Sequence, residues 1–184
     1  MNARTAPSPL LLPDTRTDHI VGSGMSPVTV VEYGDFECPS CRQAHPAVKI
    51  VLAHFGDKVC YVFRHFPLRE VHPHAELAAE ASEAAAAQHK FWPYHDLLFA
   101  HQQHLDEPHL FGYAEQLGLD LSRFRNEIED RVYLQRVQEQ VDSGRRVGVR
   151  STPAFYVNGS ATDVSFGLQH LHEAIDKALL APSA

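Results

Sequence analysis

Two cysteines separated by two residues, Cys38 and Cys41, stand between a strand-like run and a helix-like run. Residues 28–33 are β-branched and mostly apolar, which is typical of a strand covered on both faces. Pro39 suits the first turn of a helix, where its missing N–H leaves no bond unmade. Cys38 is then the N-cap residue, where unpaired backbone N–H groups and the helix dipole favour a thiolate. This order of elements predicts a redox dithiol.

The hydrophobic pattern after the dithiol predicts an α/β unit. Residues 39–54 carry apolar side chains at helical spacing, and Gly56 follows them as a helix end signal. Residues 58–63 form a second continuous apolar run. Together with residues 28–33, these segments predict a βαβ unit with a right-handed crossover.

A second α/β segment is predicted near the other end of the chain. Residues 154–157 are a short apolar run, and Asn158-Gly159 is a strong hairpin signal. Residues 161–166 are therefore expected to form the returning strand. Residues 168–180 repeat apolar side chains on one helical face and predict a closing helix.

The segment between these two parts has a helical character throughout. It is rich in alanine at first, and Pro or Asp opens several of its apolar periods. We predict helices there over residues 73–88, 93–100, 108–117, 121–130 and 131–144. The resulting organisation is a flexible lead-in at 1–26, in which residues 19–21 are a candidate short edge strand, an α/β domain at 27–71 and 149–184, and an inserted helical module at 72–148.

Composition excludes several classes of function. The 184-residue chain carries a net charge of −7 without a basic patch, so nucleic-acid binding is not expected. No apolar run approaches the roughly 18 residues of a membrane span. The apolar run at residues 10–12 is too short for a signal peptide, which predicts a cytoplasmic location. Three cysteines in such a compartment indicate redox or metal chemistry rather than structural disulfides.

Three phrases of the sequence resemble a known family: EYGDFECPSC at 32–41, FRHFP at 63–67 and TPAFYVNG at 152–159. They are similar to the thioredoxin superfamily, and the helical insertion resembles its DsbA-like branch, in the bacterial subgroup without a signal peptide. The likeness covers roughly residues 18–180. It implies a thioredoxin-like fold, a central mixed sheet flanked by helices, and a thiol–disulfide oxidoreductase acting on protein thiols and disulfides with an unidentified redox partner.

The chemistry of C-x-x-C sites assigns different roles to the two thiols. Cys38 is predicted to be the nucleophile, because its pKa should be lowered at the helix start. Cys41, one turn further and more buried, is predicted to resolve the mixed disulfide with a substrate. Pro39 and Ser40 are expected to tune the pair. Ser40 carries no charge where the well-known oxidant of this family has His, which indicates a weaker oxidant.

The resemblance also implies supporting residues outside the dithiol. The Thr152–Pro153 bond is expected to be cis and to lie beside the dithiol, so that the backbone of Thr152 can pair with an extended substrate. Glu32 precedes Cys38 by six residues, where thioredoxin-like proteins resemble one another in having a buried acid. A raised pKa would let Glu32 exchange a proton with Cys41.

Other residues carry weaker expectations. Cys60 is interpreted as a small core residue, and the aromatic side chains are expected to lie mainly in the core. The thirteen histidines pair with no Cys or acid at a recognised ligand spacing, so we expect them on the solvated surface. No cofactor and no metal are therefore predicted. The alternatives are an adaptor of the same fold with inert thiols, a glutathione-linked enzyme of that fold, and a Cys/His metal module.

Overall fold

A five-stranded mixed sheet forms the centre of the protein in a computed structural model that describes residues 8–164 and 167–181. The strand order is β1-β3-β2-β4-β5. The central strand β2 runs parallel to β3 and antiparallel to β4, while β1 and β5 form the antiparallel edges. The strands are β1 His19–Val21, β2 Val28–Gly34, β3 Val59–His65, β4 Ala154–Val157 and β5 Ser160–Thr162.

Seven α-helices accompany the sheet in the described part of the chain. Most of their bounds lie within two or three residues of the predicted ones, because proline, Asp caps and glycine mark the ends. The returning strand β5 is shorter than predicted, and residues 165–166 of that prediction lie outside the described residues. The helices are α1 Pro39–Phe55, α2 Ala75–Ala86, α3 Phe91–Ala100, α4 Glu107–Gln116, α5 Leu121–Glu129, α6 Leu134–Arg146 and α7 Gln169–Leu180.

Each face of the sheet has its own apolar core. Val28 and Val30 of β2 face a large cluster built from α1, α7 and the helices α2–α5. Val31 and Tyr33 face the opposite side, where Val141 of α6 packs. Strand β2 is therefore covered on both faces, as predicted, and every second side chain of this strand is directed towards α1. Helix α6 belongs to the predicted insertion in sequence but packs on the face opposite to α1.

The candidate edge strand at residues 19–21 is confirmed, and residues 8–18, which were expected to be flexible, are attached to the protein as well. Leu11 is buried in the second core, and β1 pairs antiparallel with β3. Arg64 on β3 explains the attachment. Its guanidinium donates to both carboxylate oxygens of Asp18, at 2.8 and 2.7 Å, and to the carbonyls of Leu10 and Leu12. A buried guanidinium needs these acceptors, and the lead-in supplies them.

We predict that Asp18→Ala lowers the free energy of unfolding by about 3–5 kcal/mol, since it leaves the Arg64 charge buried without its partner. The two side chains of this ion pair are only 3% and 7% exposed. Urea denaturation at neutral pH measures the loss. The matched control is Asp14→Ala, whose carboxylate pairs with the largely exposed Arg16 and should contribute less than about 1 kcal/mol. Equal losses in the two variants would contradict the attachment.

Candidate active site

Cys38 is the N-cap residue of α1, as predicted, and Pro39 follows it at the first helical position. The turn from β2 into α1 places its sulfur above the first turn of the helix, whose backbone N–H groups have no partner within the helix. Pro39 and Ser40 are exposed, whereas Cys38 is 6% exposed and Cys41 is fully buried. Both thiols are free.

The two thiols have opposite acidities. A hydrogen bond from Cys41, aided by the backbone N–H groups of Cys41 and Ser40, lowers the pKa of Cys38 to about 5, although burial opposes this change. Burial raises the pKa of Cys41 well above its ordinary value, and the neighbouring charges of Cys38 and Glu32 raise it further. At neutral pH the arrangement therefore holds a thiolate at the helix start and a protonated thiol one turn below it.

Glu32 lies on the face of β2 that is directed towards α1, buried at 3% exposure. Burial raises its pKa to about 7, while a hydrogen bond of 2.6 Å from the Tyr61 hydroxyl limits the rise. Its charge acts on Cys41. The structure thus brings Glu32 into electrostatic contact with the buried thiol, as the resemblance implies, and a carboxyl with this pKa exchanges protons near neutral pH.

The Thr152–Pro153 peptide bond is cis, and it lies beside the dithiol. The Cys38 sulfur lies 3.3 Å from the Thr152 carbonyl oxygen, to which the protonated thiol can donate a hydrogen bond. Thr152 itself is buried, and a hydrogen bond from its side chain helps to lower the pKa of Cys38. Residues 38–41 and 152–153 are more than a hundred positions apart in the sequence. The structure brings these predicted site residues together at one end of the sheet.

Asp35 organises the turn before Cys38, a role that was not predicted from the sequence. Its buried carboxylate accepts the backbone N–H groups of Glu37 and Leu68, and His72 Nδ1, each at 2.8 Å, while its carbonyl accepts the N–H of Cys38 at 3.2 Å. Burial alone would lower the pKa of His72, but the hydrogen bond and charge of Asp35 outweigh it and raise that pKa. An Asp directly after a strand and before a turn is a signal that could have identified this role.

Gln102 is a second residue that the sequence does not reveal. It lies after α3 in the inserted segment, and its buried side-chain amide donates to the carbonyls of Phe36 and Cys38, both at 2.8 Å. A pocket of about 340 Å³ lies beside it, lined by Pro39, Arg42, Gln43 and Gln102. The inserted segment thus contacts the active-site turn directly, and no local pattern around a polar residue in a loop predicts such a contact.

The expectation that the histidines lie on the surface is wrong for several of them. His65 and His95 are 1% and 3% exposed, and the side chain of His19 is 10% exposed. All three lie among aromatic rings. His19 and His65 contact Glu83, which is distant from both in sequence, so no spacing rule reveals this cluster, whereas His95 contacts the adjacent Asp96. The expectations for Cys60 and for the aromatic side chains Phe36, Phe66 and Phe155 are confirmed, because all four are buried in the core. Trp92 is only half-buried and packs against the edge of the core.

The fold and the site together define a thioredoxin-like protein with a dithiol at the start of its first helix. A family model described as thioredoxin matches residues 14–177. The chain therefore belongs to the thioredoxin superfamily, and its fold is similar to that of solved DsbA-like proteins.

Two solved structures illustrate the likeness. A thioredoxin-like oxidoreductase from Silicibacter pomeroyi DSS-3 has a TM-score of 0.82 and 25% sequence identity, over 94% of this chain and 98% of the other. Oxidised BdbD from Bacillus subtilis has a TM-score of 0.80 and 25% identity, over 92% of this chain and 97% of the other.

A similarity of another kind connects the chain with larger proteins. It is 49% identical over 170 residues to a protein named Na(+)/H(+) antiporter NhaA 1 from Salinispora arenicola, a match that covers 92% of this chain and 26% of the relative. The chain thus spans about a quarter of the length of the curated relatives it matches. Within residues 8–164 and 167–181, none of the helices combines the length and the apolarity needed to cross a membrane.

We predict that Cys41→Ala raises the pKa of Cys38 by about 1–2, because it removes the hydrogen bond that contributes most to the thiolate, and such a bond to a charged group is worth about 1.5–3 kcal/mol. Thiolate absorbance at 240 nm against pH measures the change. The matched variant Cys41→Ser keeps an O–H donor at the same place and should retain most of the lowered pKa. If alanine and serine had the same effect, the hydrogen bond would not be the cause.

Proposed function

We propose that this protein is a thiol–disulfide oxidoreductase that exchanges a Cys38–Cys41 disulfide or dithiol with protein substrates. The observation that carries the proposal is the difference in acidity between two thiols one helical turn apart. The pKa of Cys38 near 5 supplies a thiolate at neutral pH, and only the thiolate attacks a disulfide. Cys41 stays protonated until the second step of the exchange, since its pKa is raised well above the usual value.

The reaction in the reducing direction has two steps. The Cys38 thiolate attacks one sulfur of a substrate disulfide, forms a mixed disulfide and releases the other substrate sulfur as a thiolate. Cys41 loses its proton and attacks the Cys38 sulfur, which forms the Cys38–Cys41 disulfide and releases the second substrate thiolate. Two electrons pass from the dithiol to the substrate. The reverse sequence oxidises a substrate dithiol, and a redox partner restores the starting state.

Glu32 is the proposed proton acceptor for Cys41. A buried carboxyl with a pKa of about 7 is ionised in half of the molecules at that pH, so it takes a proton and returns it with little cost. Its negative charge disfavours a thiolate on Cys41 while the site rests. Proton transfer from the thiol to Glu32 neutralises that charge at the moment when the Cys41 thiolate is needed.

The backbone of Thr152 is the proposed contact for the substrate chain. Its carbonyl already lies 3.3 Å from the Cys38 sulfur, so an extended peptide paired there would bring its own sulfur next to the nucleophile. The pocket beside Pro39 and Gln102 offers space for the residues that flank the substrate cysteine. Peptide recognition through backbone groups suits unfolded or extended protein segments.

The direction of electron flow follows from the reduction potential and the compartment. The lowered pKa of Cys38 stabilises the thiolate and therefore the dithiol form. The couple is thus expected to be more oxidising than one whose nucleophilic thiol has an ordinary pKa. A cytoplasmic location stays a prediction of the sequence, and there the protein would work mainly as a reductant.

The proposed function is tested by insulin reduction with dithiothreitol as electron donor and by oxidation of a reduced peptide dithiol. Wild type should accelerate both, and Cys38→Ser should abolish both. Cys60→Ser is the matched control, because this third cysteine is buried on the other face of the sheet and should leave the rates unchanged. Activity that survives Cys38→Ser would refute the proposal. Selective reduction of glutathione adducts would instead favour the glutathione-linked alternative.

We predict that Glu32→Gln slows resolution of the mixed disulfide about 100-fold at pH 8, the size of a typical general-base effect. In wild type, the rate should rise with pH through about 7, as Glu32 ionises. Rapid quenching of a mixed disulfide between Cys38 and a peptide measures this step.

The companion variant Tyr61→Phe removes the hydrogen bond that lowers the pKa of Glu32. The inflection of the rate should therefore move to higher pH, while the limiting rate is retained. An unchanged inflection in Tyr61→Phe, or a wild-type profile in Glu32→Gln, would show that Glu32 is not the proton acceptor.

A further inference from the structure

Two groups of imidazole and carboxylate side chains lie outside the dithiol site in the described part of the chain. In each group one nitrogen or oxygen of every member lies within 4.8 Å of the others. Such groups are either hydrogen-bonded clusters or metal sites, and the distances between the ligand atoms separate the two cases. The groups are His19, His65 and Glu83, and His45, His95 and Asp96.

The first group is a hydrogen-bonded cluster. Glu83 Oε1 lies 2.7 Å from His19 Nε2 and 3.0 Å from His65 Nε2, which are lengths of direct hydrogen bonds. Arg136 Nε also contacts the second oxygen of Glu83, at 3.0 Å. Both histidine distances are shorter than the roughly 3.3–3.6 Å between neighbouring ligand atoms of a tetrahedral zinc site, so we assign no metal to this group.

The second group has the spacing of metal ligands. Asp96 Oδ1 lies 3.2 Å from His45 Nε2 and 3.4 Å from His95 Nδ1. These distances are at or beyond the long end of the usual range for N–H···O hydrogen bonds, about 2.7–3.2 Å. Zinc bonds to nitrogen and oxygen are about 2.0–2.2 Å long, so neighbouring ligand atoms of a tetrahedral site are about 3.3–3.6 Å apart. The observed distances are close to this tetrahedral edge.

His95 faces the other two members of the group through Nδ1. Its Nε2 is buried among aromatic rings and has no hydrogen-bond partner in the described residues. Its Nδ1 lies 3.4 Å from Asp96 Oδ1. Nδ1 is therefore the nitrogen of this ring that is placed to bind an ion together with His45 and Asp96.

We propose that His45 Nε2, His95 Nδ1 and Asp96 Oδ1 bind one Zn²⁺ ion. Two imidazoles and a carboxylate are a known zinc ligand set, and three protein ligands leave the fourth position to water. Asp96 is 43% exposed, which gives that water access. Lys49 Nζ holds the other carboxylate oxygen at 2.6 Å, so the carboxylate would bind the metal through one oxygen only.

The site would join two elements that are separate in sequence. His45 lies on α1, one helical turn after Cys41, and His95 and Asp96 lie on α3. A bound ion would therefore fasten the inserted helices to the helix that carries the dithiol. The proposal concerns residues other than the two thiols and does not depend on the proposed redox function.

The test measures zinc binding to the full chain carrying Cys38→Ser and Cys41→Ser, which removes the dithiol as a competing ligand. After treatment with EDTA and its removal, calorimetric titration with Zn²⁺ should give one equivalent. Co²⁺ should produce the strong visible absorption of a tetrahedral site. Added to this background, His45→Gln and Asp96→Asn should each weaken Zn²⁺ binding at least tenfold, and Zn²⁺ should raise Tm only in the chain with all three ligands.

A matched control is the His109–Asp106 pair, which contains the same residue types at 2.7 Å and is exposed. His109→Gln and Asp106→Asn should leave Zn²⁺ affinity unchanged. The proposal is overturned if the background chain takes up no stoichiometric Zn²⁺, or if His45→Gln and Asp96→Asn bind as tightly as it does. Loss of binding in His19→Gln with retention in Asp96→Asn would also overturn it. Because Asp96 is half-exposed, Asp96→Asn is expected to fold, and circular dichroism checks this.

Discussion

The buried carboxylate of Asp35 is the interaction on which the geometry of the site depends. Strand β2 is covered on both faces, so the chain leaves it inside the protein and must turn into α1 without help from water. Unpaired backbone groups are costly there. The Asp35 carboxylate accepts hydrogen bonds from backbone N–H groups of the turn. The side-chain amide of Gln102 donates hydrogen bonds to backbone carbonyls of the same turn. With these groups satisfied, the free N–H groups at the start of α1 remain available to the sulfur of Cys38.

The chemical asymmetry of the two cysteines is a result of position. Both are thiols on the same helix, but Cys38 precedes the first turn and Cys41 faces the core. The helix start stabilises negative charge on the first, while burial and the charge of Glu32 oppose it on the second. Each thiol also acts on the other, since the protonated Cys41 is the donor that stabilises the Cys38 thiolate. The pair works as a unit that neither residue type alone would produce.

The sequence predicts those parts of the structure that depend on local patterns. The bounds of β2, α1 and β4 follow from apolar runs, Pro39 and the Asn158-Gly159 turn, and the resemblance implies the meeting of residues 38–41 with 152–153. Contacts between distant polar side chains were not predicted. Asp18 with Arg64, and Gln102 with the active-site turn, depend on the folded arrangement, because no spacing within either segment identifies its partner. The burial of His19 and His65 was not predicted for the same reason, because both contact Glu83, which is distant in sequence.

The carboxylate of Glu83 makes the sequence division into a domain and an insertion a poor guide to how the protein unfolds. This side chain belongs to α2 of the inserted segment, yet it is contacted by His19 of β1, His65 of β3 and Arg136 of α6. Four segments thus share one buried charge. If any one of them unfolded locally, the Glu83 carboxylate would be exposed to water or would remain buried without its partners. The inserted helices and the sheet are consequently expected to melt in a single cooperative transition, so that the dithiol loses its setting only when the whole protein does.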